Sequence, residues 1–557
     1  MKIFRNLLLI TALVFASACN TTELEILENP NSVSPDLVDT DFLFNSIQLG
    51  FANFVFRAND FGMQVTRMTH MYGPTYDNAF QPSTMDAVWS TAYATVLADI
   101  EALLPAATAK QQFVHTGAAK LLKAYTYVTL VDMFGKVPYT EAVQGATNFN
   151  PKADDGKFIY QEMFKLIDEA IVDLNKMALG TPKNDLFYNG VKANWIAMAN
   201  TLKIKMYNTV RADASFNSTA AINAIVASGN YIDTQAKDFV FKYGANRSNP
   251  NTRHPFYTQH YETENGDYMS NSFLWTLVAE KGTVDPRAKF YFYRQDTDAT
   301  NEDSFTLDCV AFSYPAHYTS KKSIYNTSIG IPYCTLDYPY PGKPYTNAMG
   351  YWGRDHGDNS GIPPDGTKRT VYGLYPGGGK YDAGAGGSTK TSGSQGAKGA
   401  GYTPILLSTY THFMLAENAL ASNPALAKTS MQTAIRRSFE TVNTFVPLDA
   451  SAVAISATQI TDYVNFVSAA WDAASNKNQI LQKEYYIALW GNGMEAYNNY
   501  RRTGFPANLQ PTREPVSGVF YRTFLYPNDY VVLNTNATQK TNTVQVFWDT
   551  NPAGFIN

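Results

Sequence analysis

Cysteine is scarce, with three residues in 557, at Cys19, Cys309 and Cys334. So few thiols cannot staple a chain of this size, and the fold has to rest on its own core. Histidine is almost as rare: the seven are dispersed, His254 and His260 are the closest pair, and no His-Glu-x-x-His helix is present. A zinc hydrolase of that kind is excluded. An excess of positive charge is also missing. Lys and Arg number 44 against 48 Asp and Glu, for a net charge of −4. Nucleic-acid backbones need clustered cations, so no nucleic acid is expected as a partner. There is no Gly-x-Ser-x-Gly elbow. The run Gly377-Gly378-Gly379-Lys380 is a phosphate loop in outline only, because Leu374 stands where the first glycine belongs and Tyr381 follows the lysine. The acidic groups Asp296, Asp298, Glu302, Asp303 and Asp355, Asp358 miss the EF-hand pattern, since Leu307 occupies the twelfth position from Asp296. They read as solvated loops, and no metal or cofactor is expected. Past the first residues, no apolar run approaches the ~20 residues that a spanning helix needs.

What is present begins at the N-terminus. Lys2 and Arg5 precede the apolar stretch Leu7 to Phe15, and the small residues Ala16, Ser17 and Ala18 lead into Cys19. That order reads as a secretory signal peptide over 1–18. A cysteine directly after the small residues is the bacterial lipobox pattern, so Cys19 is the expected lipid attachment site and the membrane is reached through a lipid anchor. The alternative is an ordinary signal peptide with an incidental cysteine. Asn20 to Asp41 carries Glu23, Glu25, Glu28, Asp36 and Asp39 with no Lys or Arg, as suits a solvated tether. In an exported chain Cys309 and Cys334 are able to pair, but their spacing does not decide it. Aromatic residues are abundant: 37 Tyr, 33 Phe and 7 Trp make up 14% of the chain. Such rings either fill a large helical core or stack on sugar faces and peptide side chains.

Apolar spacing predicts a helix from Thr84 to Leu104, ended by Pro105, with Trp89 on its core face. Thr116 to Phe134 is apolar nearly all round and therefore central, stopping at Gly135. Lys157 to Met177 and Asn189 to Val210 follow, the latter with Trp195 at helical spacing. Paired helices of this size approach the tetratricopeptide period. From Tyr231 to Tyr402 the regularity disappears. Gly377 to Gly401 holds ten glycines in 25 residues, and this stretch is expected to be loop. Helices resume at Pro404 to Ala421, Ala425 to Val442, Thr458 to Ala473 and Asn478 to Tyr500, and the segment after Pro506 is irregular. The reading is one domain over 19–557: tether and N-terminal segment 19–60, helical hairpins 61–230, a loop-rich region 231–402, C-terminal helices 403–505 and a closing segment 506–557.

Three separated stretches carry a resemblance. Leu130-Val131-Asp132-Met133-Phe134-Gly135-Lys136-Val137-Pro138-Tyr139 ends a helix with an aspartate, a glycine turn and a Pro-Tyr pair. Trp195-Ile196-Ala197-Met198-Ala199-Asn200-Thr201-Leu202-Lys203 is the second. The third runs from Gln482 through Ala488-Leu489-Trp490 and Glu495-Ala496 to Arg501-Arg502-Thr503-Gly504-Phe505-Pro506. Arg522, Tyr526-Pro527 and Asn534 add a closing motif, with Tyr530 where a glutamate is usual. In this order they resemble the SusD/RagB family of nutrient-binding outer-membrane lipoproteins. The resemblance implies a mostly α fold: a tetratricopeptide-like right-handed superhelix with a large irregular, loop-rich insertion. It also implies a surface-exposed binding protein rather than an enzyme, partnered by a TonB-dependent (SusC-like) outer-membrane transporter, with an oligosaccharide or peptide as ligand. The motif residues are expected to hold structure: Arg501 and Arg502 suit the carbonyl end of a helix, and Glu495 is close enough to pair with one of them.

Ligand sites of this kind join loop aromatics to a few polar groups. The richest such run is Tyr338, Tyr340, Tyr345, Tyr351, Trp352, Arg354, Asp355 and His356; His70, Tyr72 and Tyr76 form a second. Equally, these rings are able to pack the insertion's own core. A lipid-anchored glycoside hydrolase stays open as a different class, since any long chain holds carboxylates, though nothing singles out a pair. A purely structural helical scaffold is disfavoured by the aromatic insertion.

Overall fold

The computed structural model describes residues 39–71, 73–263, 268–296, 321–331, 350–358, 369–384, 391–514 and 518–556. Twelve helices of eight or more residues are found among them. The first six are α1 (Thr40–Val65), α2 (Ala98–Ala109), α3 (Phe113–Phe134), α4 (Gly156–Asn175), α5 (Lys192–Thr209) and α6 (Ser218–Ser228). After α7 (Asn271–Val278) come α8 (Ser408–Ala419), α9 (Pro424–Asn443), α10 (Ala457–Ala473), α11 (Lys477–Ala488) and α12 (Gly493–Thr503). Consecutive helices pack side by side from α2 to α6 and from α8 to α11, and α8 rests on α5 to join the two series. α3 is buried on nearly every face, as its composition requires, and Gly135 caps it with a φ of 82°.

Several sequence expectations need correction. Within the N-terminal segment, where no helix was read from the sequence, α1 is a 26-residue helix whose Phe44, Phe51 and Phe54 are buried in the core. Pro105 does not end α2, which runs on to Ala109. Proline there is exposed, so the carbonyl it leaves without a donor belongs to the exposed Glu101 and is open to water. By length and composition the helical run Pro82–Ala109 is apolar enough to cross a membrane, which the sequence reading did not expect. Yet Val88, Val96, Ile100 and Leu103 are buried in the core, while Asp99 accepts from Ser46 and Glu101 from Lys123. Tyr402–Leu406 is a strand, and a helix follows only from Ser408. The helix expected from Asn478 to Tyr500 is two helices, broken where Gly491 takes a φ of 94°.

The loop-rich region is closed at its base. Its first strand, Phe239–Lys242, pairs antiparallel with Tyr402–Leu406 at its far end. Within it, Phe292–Tyr293 pairs with Val371–Tyr372. The described part of the glycine-rich run is compact, contrary to expectation. A Cβ on Gly401 would lie 2.0 Å from the Pro376 carbonyl oxygen, and one on Gly396 would lie 2.1 Å from that of Gly379. Backbone here packs on backbone, which only glycine permits. Many of the rings join in stacks: Phe256 lies 4.2 Å from Tyr372, Tyr372 5.0 Å from Trp490, and Trp490 5.1 Å from Phe273. This stack ties the insertion to the end of α11.

The family-like motifs meet in buried polar clusters. Asp132 accepts from Tyr160, from Asn498 Nδ2 at 2.7 Å and from Trp548 Nε1 at 3.0 Å. Arg501 lies in the last turn of α12, not beyond it, and donates to the carbonyls of Asp132 and Arg522, both at 2.7 Å. Glu495 pairs with Lys205 at 3.3 Å rather than with either arginine. Arg502 reaches Glu417, which Arg211 also approaches at 3.2 Å. Burial pushes the Glu417 carboxyl up, but the two guanidinium groups outweigh it and hold it well below the usual range.

Buried histidines make the fold acid-sensitive. His254 is 1% exposed, and its Nδ1 accepts from Phe256 N–H. Burial pushes it down to about 3. Burial likewise holds His260 and His356 well below the ordinary value. A histidine lowered in the folded state contributes its stability in full above about pH 6.5 and loses it as the pH falls toward the folded value. We expect unfolding free energy to drop between pH 7 and pH 5 by roughly 2 kcal/mol from His254 alone. Urea melts across that window check this; a flat profile would contradict it.

Candidate functional site

Where α1 ends, the chain turns through Arg67, a non-glycine residue at a φ of 63°. Such a conformation costs energy and marks a place where surroundings over-determine the backbone. The Arg67 guanidinium donates to the Val65 carbonyl at 2.8 Å, to Tyr76 Oη at 3.0 Å and to the Gln510 carbonyl at 3.1 Å. It lies 5.5 Å from the centre of the Phe520 ring. Tyr76 is positioned by a short helix, Tyr76–Ala79, capped by Thr75. Its hydroxyl also meets His356 Nε2 at 3.1 Å, and its ring stands edge-on to Phe520 with centres 5.8 Å apart.

Together these groups wall a cavity of about 390 Å³, completed by Thr512, Arg522 and Gln545. Arg522 is locked by Asp549, with two bonds of 2.7 and 2.6 Å. The exposed Gly518 and Val519 stand at the mouth. Rings, a guanidinium and neutral hydroxyl and amide groups suit binding by stacking and hydrogen bonds. No carboxylate is among the described lining residues, so the pair that glycoside hydrolysis requires is not found there.

The sequence candidates divide into three groups. Tyr338, Tyr340, Tyr345 and Tyr72 lie outside the described residues, as do Cys19, Cys309 and Cys334 and the acidic residues Asp298, Glu302 and Asp303. Tyr76 lines the cavity and His356 backs it. Tyr351, Trp352, Arg354 and Asp355 are each less than 5% exposed. Arg354 lies over the Tyr268 ring at 4.3 Å, and Asp355 accepts from Asn271 and Gln510 at 3.1 and 2.9 Å. The Trp352 indole N–H is buried with no acceptor among the described residues. Asp358 pairs with Arg513 at 2.6 Å, and His70, pushed down to about 4 by burial, lies behind this wall. Among the described residues no group of three His, Cys, Asp or Glu is placed to hold a metal ion.

Sequence reading missed Arg67, Phe520 and Gln545 as cavity residues. Arg67 lies three positions before His70, just ahead of the run His70, Tyr72 and Tyr76. Phe520 and Gln545 come from the far end of the chain and gave no local signal.

Comparison with known proteins places the chain. Residues 30–336 match the model of a family described as starch-binding and associating with the outer membrane. Residues 367–550 match that of the SusD and RagB outer-membrane lipoproteins. The chain belongs to the SusD/RagB family. A SusD/RagB family protein from Bacteroides thetaiotaomicron superposes with a TM-score of 0.65 at 18% identity, covering 92% of this chain and 100% of the other. A chitin-binding SusD homologue from Flavobacterium johnsoniae gives 0.60 at 17% identity, covering 92% and 99%. A further chitin-binding protein gives 0.62 at 19% identity, covering 93% and 100%. No curated protein matches significantly. This SusD-like chain therefore has the mostly helical, tetratricopeptide-like fold of SusD homologues. It is a nutrient-binding outer-membrane lipoprotein and not a catalyst.

Proposed function

We propose that this SusD-like lipoprotein captures oligosaccharides at the cell surface and delivers them to a TonB-dependent outer-membrane transporter. The observation that carries this is the cavity walled by Tyr76, Phe520 and Arg67, which joins rings to hydrogen-bonding groups without a carboxylate. Trp352, whose indole N–H meets no acceptor among the described residues, belongs to the same ligand region in this reading, as do the neighbouring Tyr351, Arg354, Asp355 and His356. Tyr338, Tyr340, Tyr345 and Tyr72 complete the set of aromatic candidates. Two structural neighbours are named as chitin binders, so chitin oligosaccharides are the first ligands to try.

Calorimetry of the mature protein with an N-acetylglucosamine hexamer, maltoheptaose and a casein peptide digest tests the reading. Val519, 59% exposed at the cavity mouth, is the residue to change. Val519→Trp is expected to weaken sugar binding tenfold or more while leaving the unfolding midpoint in place. Binding of the peptides alone would make this a peptide receptor of the same transporter class, and sugar binding untouched by Val519→Trp would move the site elsewhere.

A further inference from the structure

A second cavity, about 620 Å³, opens on α1 between that helix and the start of the loop-rich region. Phe56 of α1 and Tyr243 form its half-buried aromatic wall. Both rings are seated on the buried His254, at 5.7 and 4.7 Å between centres, and the Tyr243 hydroxyl is tied to Thr403 at 3.2 Å. The opposite rim is a closed loop: Gly244 N–H donates to the Thr252 carbonyl at 2.8 Å, and Asn246 Nδ2 donates to the Pro250 carbonyl at 2.8 Å. The platform is thus built before any ligand arrives, which lowers the ordering cost of binding.

Two side-chain amides stand at this rim. Asn53 Oδ1 accepts from Arg57 at 3.1 Å, and Asn251 Oδ1 accepts from the backbone and side chain of Arg253 at 3.1 and 3.2 Å. Those contacts orient both amides and leave their NH₂ groups as the unused ends. Lys242 is exposed and forms no ion pair among the described residues. Two amide NH₂ groups and the Lys242 ammonium are thus donors in the lining of this cavity. A sugar chain fits, because its ring and hydroxyl oxygens all accept and its apolar faces stack on rings.

We infer that this cavity is a second oligosaccharide-binding site, distinct from the Arg67 cavity. From Phe56 to the end of α1 at Val65 is roughly 14 Å along the helix axis, so the two sites lie at different positions on one rigid element. Two sites on one body raise the effective concentration of a bound chain at each.

Hydrogen exchange of the mature protein with saturating N-acetylglucosamine hexamer or maltoheptaose tests this. With at least one sugar, residues 49–57 and 242–253 are expected to gain protection, and to keep it in Val519→Trp, where the first cavity is blocked. The double variant Asn53→Ala, Lys242→Ala changes exposed side chains only and is expected to weaken that protection at least fivefold in apparent affinity. Protection absent from these segments with both sugars, or lost in Val519→Trp, would overturn the second site. So would protection by casein peptides and not by either sugar.

Discussion

Gly493→Ala is expected to destabilise the protein by about 3 kcal/mol or more, enough to lower its yield sharply. A Cβ on Gly493 would fall 2.0 Å from Met63 N and 2.2 Å from the Asn59 carbonyl oxygen. These are main-chain atoms in the last two turns of α1 and cannot rotate aside. The contact is reciprocal, since a Cβ on Gly62 would lie 2.2 Å from the Gly493 carbonyl carbon. α12 therefore crosses α1 with backbone against backbone, and a methyl group fits only if the helices move apart. Moving them would open the core around Met63 and Tyr497, both fully buried. It would also disturb the bond from Met494 N–H to Asn59 Oδ1 at 3.3 Å. Gly180→Ala is the control, because its nearest neighbour, Gln112, is 3.7 Å away and its φ is not positive. Thermal unfolding of the two variants should separate them by many degrees; equal midpoints would mean that α1 and α12 are not in this contact.

Asp132→Ala is expected to cost about 3 to 5 kcal/mol. The carboxylate is 1% exposed and serves donors from α4, from α12 and from the closing segment through Tyr160, Asn498 and Trp548. Lys205 of α5 stands 3.6 Å away. Burial works against the Lys205 charge, but Glu495 and Asp132 outweigh it and raise its pKa. Removing Asp132 leaves several buried donors unsatisfied at once and halves the negative charge facing that lysine. Asp132→Asn keeps the shape and one acceptor, so it should lose less than the alanine variant. Urea unfolding followed by tryptophan fluorescence reads this directly, because Trp548 is one of the partners. Midpoints within experimental scatter of the parent for both variants would refute a central role for this carboxylate.

Motif residues such as Asp132 and Arg501 are legible in sequence as markers of a family, but their partners are not. Asp132 meets Asn498 and Trp548, which are 366 and 416 positions away. Local reading paired Glu495 with the nearby arginines, yet the ion pair forms with Lys205, which another helix brings within 3.3 Å. The same limit applied to ligand residues. Clustering along the chain pointed to Trp352 and its neighbours and to Tyr76, whereas Phe520 joins Tyr76 only because the closing segment folds back over α1.

By itself the sequence determined the helical character of both scaffold series, the loop-rich stretch between them and the family. Each of these is written in local spacing or composition: a 3.6-residue period, three separated motifs, a density of glycine and tyrosine. Only the tertiary structure decided where α1 and α12 touch, which buried charges pair, that the described glycine-rich turns are packed tightly, and which rings face a cavity. Those outcomes depend on side chains distant in sequence arriving within a few ångströms of one another, and no local period encodes that arrival.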